Sequence, residues 1–188
     1  MAPPVKSRCA CACKFLRKDT DISQLKMVKV ALWITCRLDN IEELKPSGPE
    51  FRWCLKFICC NCSNKSEKWN YVSLDESVPL QRGGSGVSNF VFKCKFCQRE
   101  NSVTIIEDSI KSFTENDQGK FKSIVVFDCR GVEPDNFSAG EGWIAKAVNG
   151  GKEFTDVDLS EGEWEDYCDK IMEPVGIYEF QHMFQRVK

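Results

Sequence analysis

The chain has 188 residues, 42% hydrophobic and 29% charged, with a formal net charge of −2. That is enough chain to bury one core or two small lobes, and no apolar run reaches the roughly 18 residues of a membrane-spanning helix. The first residues contain no continuous apolar stretch of the kind a secretory signal needs, so the 12 cysteines are expected in a reducing compartment, the cytoplasm first and the nucleus second.

Residues 1–26 differ in composition from the rest of the chain: Pro3 and Pro4, then Cys9, Cys11 and Cys13 alternating with alanine, then a charged stretch without periodicity. A disordered N-terminal extension is expected there. From residue 28 the pattern changes. Val28, Val30, Leu32, Ile34, Cys36 and Leu38 alternate with Lys29, Ala31, Trp33, Thr35 and Arg37, the period of a long half-buried strand. Residues 45–50 (KPSGPE) read as a loop, and residues 51–58 as a second strand. Residues 67–74 and 88–93 are rich in aromatic and β-branched side chains, with Pro79, Gly83, Gly84 and Gly86 between them, and predict a hairpin. Residues 101–106 and 121–129 predict two more strands. Ser160 and Glu163 have capping-box spacing, so a short helix is expected over 161–170. A last strand is expected over 177–184, carrying the only histidine, His182, which reads as a packed side chain since no motif places a nucleophile beside it.

Two Cys-x-x-Cys pairs, Cys59/Cys62 and Cys94/Cys97, lie inside this β pattern. At that spacing one tight turn aims both sulfurs of a pair at one ion, and two such knuckles complete a tetrahedral tetrathiolate. Zinc suits it, because thiolates are soft and the d10 ion takes the geometry without redox cost. Positions 63–93 exceed the about 15–20 residues of a compact ribbon, but a hairpin there returns the second knuckle to the first. Redox dithiols, disulfides and chance thiols are the competing explanations. The first needs a βαβ setting and the second an oxidising compartment. One structural zinc per chain, held by Cys59, Cys62, Cys94 and Cys97, is therefore expected, with Cys60 a spectator.

Charge is unevenly spread. Residues 56–99 hold seven Lys/Arg against three Asp/Glu, whereas residues 131–174 hold three Lys against twelve Asp/Glu. A zinc tetrathiolate is formally −2, which halves the excess of the basic segment from about +4 to about +2. A weak internal echo also runs along the chain: residues 34–37 resemble 127–130, 53–56 resemble 143–146, 69–74 resemble 154–159, and 90–92 resemble 178–180. It predicts two related β units, only the first carrying zinc. The expected fold is mainly β, two tandem β-sandwich-like units with few short helices: a zinc-binding unit over 27–110 and a metal-free unit over 111–188, packed as one module.

Several short motifs occur in order: Met27-Val-Lys-Val-Ala-Leu, Asp39-Asn-Ile41, Phe51-Arg-Trp53, Leu55-Lys56, Cys59-Cys-Asn-Cys62, Lys68-Trp69, Lys93-Cys-Lys-Phe-Cys97, Arg99-Glu-Asn-Ser102, Cys129-Arg-Gly131, Glu133-Pro134 and Val175-Gly-Ile-Tyr178. Together they resemble the eukaryotic CXXC motif-containing zinc-binding protein family, from Met27 to about Phe184. The resemblance implies a tandem pair of similar β units, one zinc on the residues matching Cys59, Cys62, Cys94 and Cys97, and no enzymatic activity. Residues 1–26 have no counterpart in the family's usual start at Met27, and Cys60 stands where a glycine is often found.

Three functions compete. A non-enzymatic scaffold would hold an unidentified protein partner through a sheet edge or the knuckle face. A nucleic-acid-binding zinc ribbon would use Lys56, Lys65, Lys68, Arg82, Lys93, Lys95 and Arg99 with Trp69, Phe90, Phe92 and Phe96 for stacking; the acidic balance of the chain opposes it. The third is an enzyme or thiol- or metal-exchange protein; a catalytic zinc keeps an open position with a bound water, whereas four thiolates fill this one. The scaffold is preferred.

Overall fold

Residues 27–80 and 86–188 are described by the computed structural model. The N-terminal extension with Cys9, Cys11 and Cys13, and the loop positions Arg82, Gly83 and Gly84, lie outside the described residues. The strands are β1 (Met27–Asp39), β2 (Ile41–Pro46), β3 (Trp53–Cys59), β4 (Asn70–Val72), β5 (Val78–Pro79), β6 (Val87–Ser88), β7 (Phe90–Lys93) and β8 (Glu100–Ile106). After a 3-10 turn come β9 (Phe113–Thr114), a second 3-10 turn, then β10 (Lys122–Arg130), β11 (Val132–Ser138), β12 (Trp143–Ala147), β13 (Glu153–Val157), β14 (Trp164–Cys168) and β15 (Glu173–Val187). The fold is mainly β, as its alternating segments dictate. Among the described residues no helix is long and apolar enough to cross a membrane.

The strands form a six-stranded sheet, β14-β15-β1-β10-β8-β7, a three-stranded sheet, β11-β3-β4, a four-stranded sheet, β13-β12-β2-β9, and the two-stranded β5-β6. Each of the three larger sheets mixes strands from before and after residue 110. They share one core. Its centre is aromatic: Trp53 of the three-stranded sheet meets Phe127 of the long sheet at 6.0 Å and Trp143 of the four-stranded sheet at 6.2 Å, and Phe51 lies 4.9 Å from Trp143. Trp143 also donates its indole N–H to the buried Ala139 carbonyl at 2.9 Å. Such contacts combine large apolar burial with favourable edge-to-face geometry.

The strand orders repeat. Read inward from either end, the long sheet has an edge strand (β14 or β7), an inner strand (β15 or β8) and a central strand (β1 or β10). In the smaller sheets β11-β3-β4 stands against β2-β12-β13. β1 and β10 run antiparallel with Leu32 opposite Val125, two residues separated by the same sequence step as Cys36 and Cys129. Trp53 pairs with Val72 and Trp143 with Val157, and the Leu74 and Leu159 amides donate to the Pro49 and Gly140 carbonyls at 3.0 and 2.8 Å. The fourth echo is displaced. Residues 90–92 lie on edge strand β7, but 178–180 lie on inner strand β15; the segment in the place of β7 is β14, with Phe90 opposite Val103 and Trp164 opposite Ile177.

Two local expectations change. Residues 67–74 and 88–93 do not pair: β4 joins β3, β7 joins β8, and the intervening hairpin closes at β5-β6. Residues 161–170 form a turn and β14 instead of a helix. Gly162 has φ +83°, Ser160 bonds back to Asp158, and pairing with β15 supplies the backbone partners that helical bonds would have supplied. A capping box does form at Thr114 and Asp117, where it opens the second 3-10 turn.

Candidate metal centre

β3 ends at Cys59 and β7 ends just before Cys94, so each knuckle is a turn between a strand end and its return. The two turns have the same bonding. The Cys59 N–H donates to the Asn64 carbonyl at 3.0 Å and the Ser63 N–H to the Cys59 carbonyl at 2.8 Å. Likewise the Cys94 N–H donates to Arg99 at 2.8 Å and the Gln98 N–H to Cys94 at 2.8 Å. Ser63 and Gln98 take the left-handed conformation, with φ of +57° and +60°, which curls the chain around the sulfurs. Small and amide side chains tolerate that region better than β-branched ones.

All four predicted thiols converge. Their sulfurs lie within 4.8 Å of one another, with Cys59 Sγ 3.7 Å from Cys97 Sγ and Cys62 Sγ 3.6 Å from Cys94 Sγ. A tetrahedron of sulfurs each about 2.3 Å from zinc has edges of roughly 3.8 Å, so the cluster fits that ion. Cys59 and Cys94 are buried, while Cys62 and Cys97 are half-exposed. Burial raises the Cys97 thiol, but the Arg99 N–H, Asn61 and the neighbouring thiols outweigh it and bring it down to about 6. The Asn64 N–H lowers the Cys62 thiol, but burial and the other three sulfurs push it up to about 12. Four adjacent sulfurs cannot all ionise unaided; a bound divalent cation reverses that balance and displaces the protons.

Cys60 turns away. Its amide donates to Gly131 at 3.0 Å and its thiol points at Glu133 at 3.6 Å, where Arg186 also pairs at 2.6 Å. Burial and the Glu133 carboxylate push this thiol up to about 11. His182 is half-buried against Phe137 and Phe184, its Nε2 3.1 Å from Asn136 Oδ1.

Among the described residues, those of the nucleic-acid alternative do not form one free platform. Phe90 and Phe92 stack on Phe57 at 5.8 Å each, Lys65 pairs with Asp135 at 2.7 Å, and Lys56 lies over the Trp69 ring at 4.6 Å. Phe96, between Cys94 and Cys97, is 77% exposed. Sequence reasoning groups these aromatics by position and misses that β7 packs two of them, half-buried, against Phe57.

Comparison with known proteins identifies the family. The family model described as CXXC motif containing zinc binding protein, eukaryotic, matches residues 31–185. The human and bovine proteins of that name are 46% and 47% identical over 158 residues, covering 84% of this chain and 98% of theirs. The crystal structure of C1orf123 matches with TM-score 0.80 at 45% identity, covering 85% of this chain and 99% of that one. A hypothetical protein from Plasmodium falciparum, 21% identical, shares the fold with TM-score 0.76 over 84% of this chain and 99% of that one. With four thiols gathered at zinc-compatible spacing and a family match across nearly all the described residues, the chain belongs to the eukaryotic CXXC motif-containing zinc-binding protein family.

Proposed function

We propose that Cys59, Cys62, Cys94 and Cys97 hold one structural zinc per chain and that the protein is a non-enzymatic scaffold for another protein, working in a reducing compartment such as the cytoplasm. The closed donor set carries this reading. Four thiolates fill a tetrahedron and leave no position for a substrate or an activated water, which a catalytic zinc keeps. When bound, the ion links β3 and its turn to β7 and its turn. The chain's own residues shape the two knuckles around the sulfurs and keep Phe96 at the surface beside them.

The halves before and after residue 110 are tandem units exchanging arms, β1–β2 and β10–β11, and the shared strand orders support that division. Of the long sheet's two edges, β14 carries exposed Glu165 and Asp166, charges that discourage edge pairing. β7 carries Phe90, Val91 and Phe92, all half-exposed, and ends at the second knuckle. A partner adding a strand there would gain backbone bonds along β7 and side-chain pockets beside Phe96. The test is crosslinking capture from nuclease-treated cytosol using the zinc-loaded chain and Phe96→Asp. A partner that resists nuclease and is lost with Phe96→Asp is the expected result. Recovery of nucleic acid alone, abolished by nuclease, would contradict the scaffold.

A further inference from the structure

The first knuckle, residues 59–64, has a counterpart in residues 147–152. The Cys60 amide donates to Gly131 at 3.0 Å, and the Val148 amide donates to Asn40 at 3.1 Å. Gly131 and Asn40 are the left-handed turn residues that follow β10 and β1, with φ of +74° and +54°. The Cys59 amide donates to Asn64, and the Ala147 amide donates to Lys152 at 3.1 Å. Val132 stands opposite Cys59, and Ile41 stands opposite Ala147. Beyond the turns, Ile58 bridges Lys65 and Lys146 pairs with Glu153. Both loops therefore have the same length between the same anchors.

The second knuckle, residues 94–99, corresponds in the same way to residues 168–173, between β14 and β15. Gln98 donates to the Cys94 carbonyl at 2.8 Å, and Met172 donates to the Cys168 carbonyl at 2.9 Å. Gln98 has φ +60° and Met172 has φ +57°. The register therefore places Ala147, Gly150, Cys168 and Ile171 where the other half has Cys59, Cys62, Cys94 and Cys97.

We propose that the turns 147–152 and 168–173 are the dismantled counterpart of the zinc site, in which Cys168 is the one retained ligand position and a direct contact has replaced the metal. The inference rests on the tandem-unit reading of the two halves. Cys168 is fully buried, and its sulfur accepts the Lys152 N–H at 3.5 Å, so it joins the two turns as the ion joins the two knuckles. Asn64, the residue matching Lys152, directs its N–H to Cys62 instead; with Gly150 in the place of Cys62, that donor turns to the remaining sulfur. The loop has also tightened. Asn149 and Gly150 both have positive φ, +55° and +70°, and a Cβ at Gly151 would lie 2.6 Å from the Ala147 Cβ. The turn 168–173 keeps knuckle geometry, whereas 147–152 must reopen to present two sulfurs.

The test rebuilds both turns in the full chain: Ala147→Cys, Gly150→Cys, Gly151→Ser and Lys152→Asn, which restore the ligands and turn residues of 59–64, together with Ile171→Cys. Zinc per chain should rise by one equivalent over the parent protein, and adding Cys168→Ser should remove the increment. The parent's own content reports on the first site separately. A variant that keeps the parental zinc but gains none, or an increment indifferent to Cys168→Ser, would overturn the proposal. If the rebuilt loop fails to fold, Ile171→Cys alone decides, because it uses the turn that already has knuckle shape. It should bind one more Cd(II) than the parent through a Cys168-dependent thiolate charge-transfer band. Parental cadmium binding would refute it.

Discussion

Zinc removal should open the knuckles and leave their metal-free counterparts as they were. The perturbation is chelation of the zinc-loaded chain, and the reporters are amides whose bonds the structure names. Ser63 and Gln98 donate within the knuckles, whereas Gly151 and Met172 donate within the matching turns. A ligand that binds only the closed form stabilises it by RT ln(1 + [L]/Kd), about 4.1 kcal/mol when free zinc exceeds Kd a thousandfold. Exchange at Ser63 and Gln98 should therefore accelerate by up to about a thousandfold on chelation at that poise. Gly151 and Met172 should change by less than about threefold, because their turns close without an ion. Hydrogen exchange by NMR or fragment mass spectrometry, in zinc-buffered and chelated samples, measures both in one molecule. The effect should remain within residues 56–99, since Phe57, Phe90 and Phe92 anchor the strands below the site independently of metal. Equal loss of protection in both halves would refute a local structural role for the zinc.

Trp143→Phe keeps an aromatic ring in the core but removes the N–H donated to Ala139; leaving that buried carbonyl unpaired should cost about 1–3 kcal/mol, read as a lower denaturant midpoint with zinc content unchanged. Burial alone would raise the Asp117 carboxyl, but the Lys122 ammonium at 2.7 Å and the Thr114 hydroxyl and amide outweigh it and hold it below the ordinary carboxylate range. A depressed carboxylate contributes stability that is present above its unfolded pKa and lost as pH falls through the folded one. The destabilisation caused by Asp117→Asn should therefore shrink as pH drops below about 4, measured by thermal unfolding across pH. Single- and double-stranded oligonucleotides should bind the zinc-loaded chain only weakly at physiological salt; sub-micromolar binding with a log–log salt slope of several times about −0.9 per phosphate, abolished by replacing Lys93 and Lys95 with Glu, would favour nucleic acid over a protein partner.

The four-thiol cluster was legible because its information is local: Cys-x-x-Cys specifies its own turn, and two such turns in one chain have few uses. β1 was legible for a similar reason, since Val30, Leu32, Ile34, Cys36 and Leu38 mark one buried face. β2 was not, because Glu42, Glu43 and Lys45 hide the two residues, Ile41 and Leu44, that are fully buried, and its partners β12 and β9 lie far along the chain. β14 was misread for want of the same distant fact. Its capping-box spacing favours a helix locally, and only pairing with β15 makes it a strand. The first three echoes fall on strands at like places in the sheets, whereas the fourth sets edge strand β7 against inner strand β15, because similarity between two aromatic strands carries no record of which one is at an edge.

The most direct measurement is zinc K-edge X-ray absorption, with metal analysis, on the purified chain and its Cys94→Ser variant. One zinc per chain in a shell of four sulfurs at about 2.3 Å, lost or loosened in Cys94→Ser and unaltered in Cys60→Ser, is the predicted result. A nitrogen or oxygen in the parent's shell, or full zinc retention in Cys94→Ser, would contradict the assignment of Cys59, Cys62, Cys94 and Cys97 as the ligands.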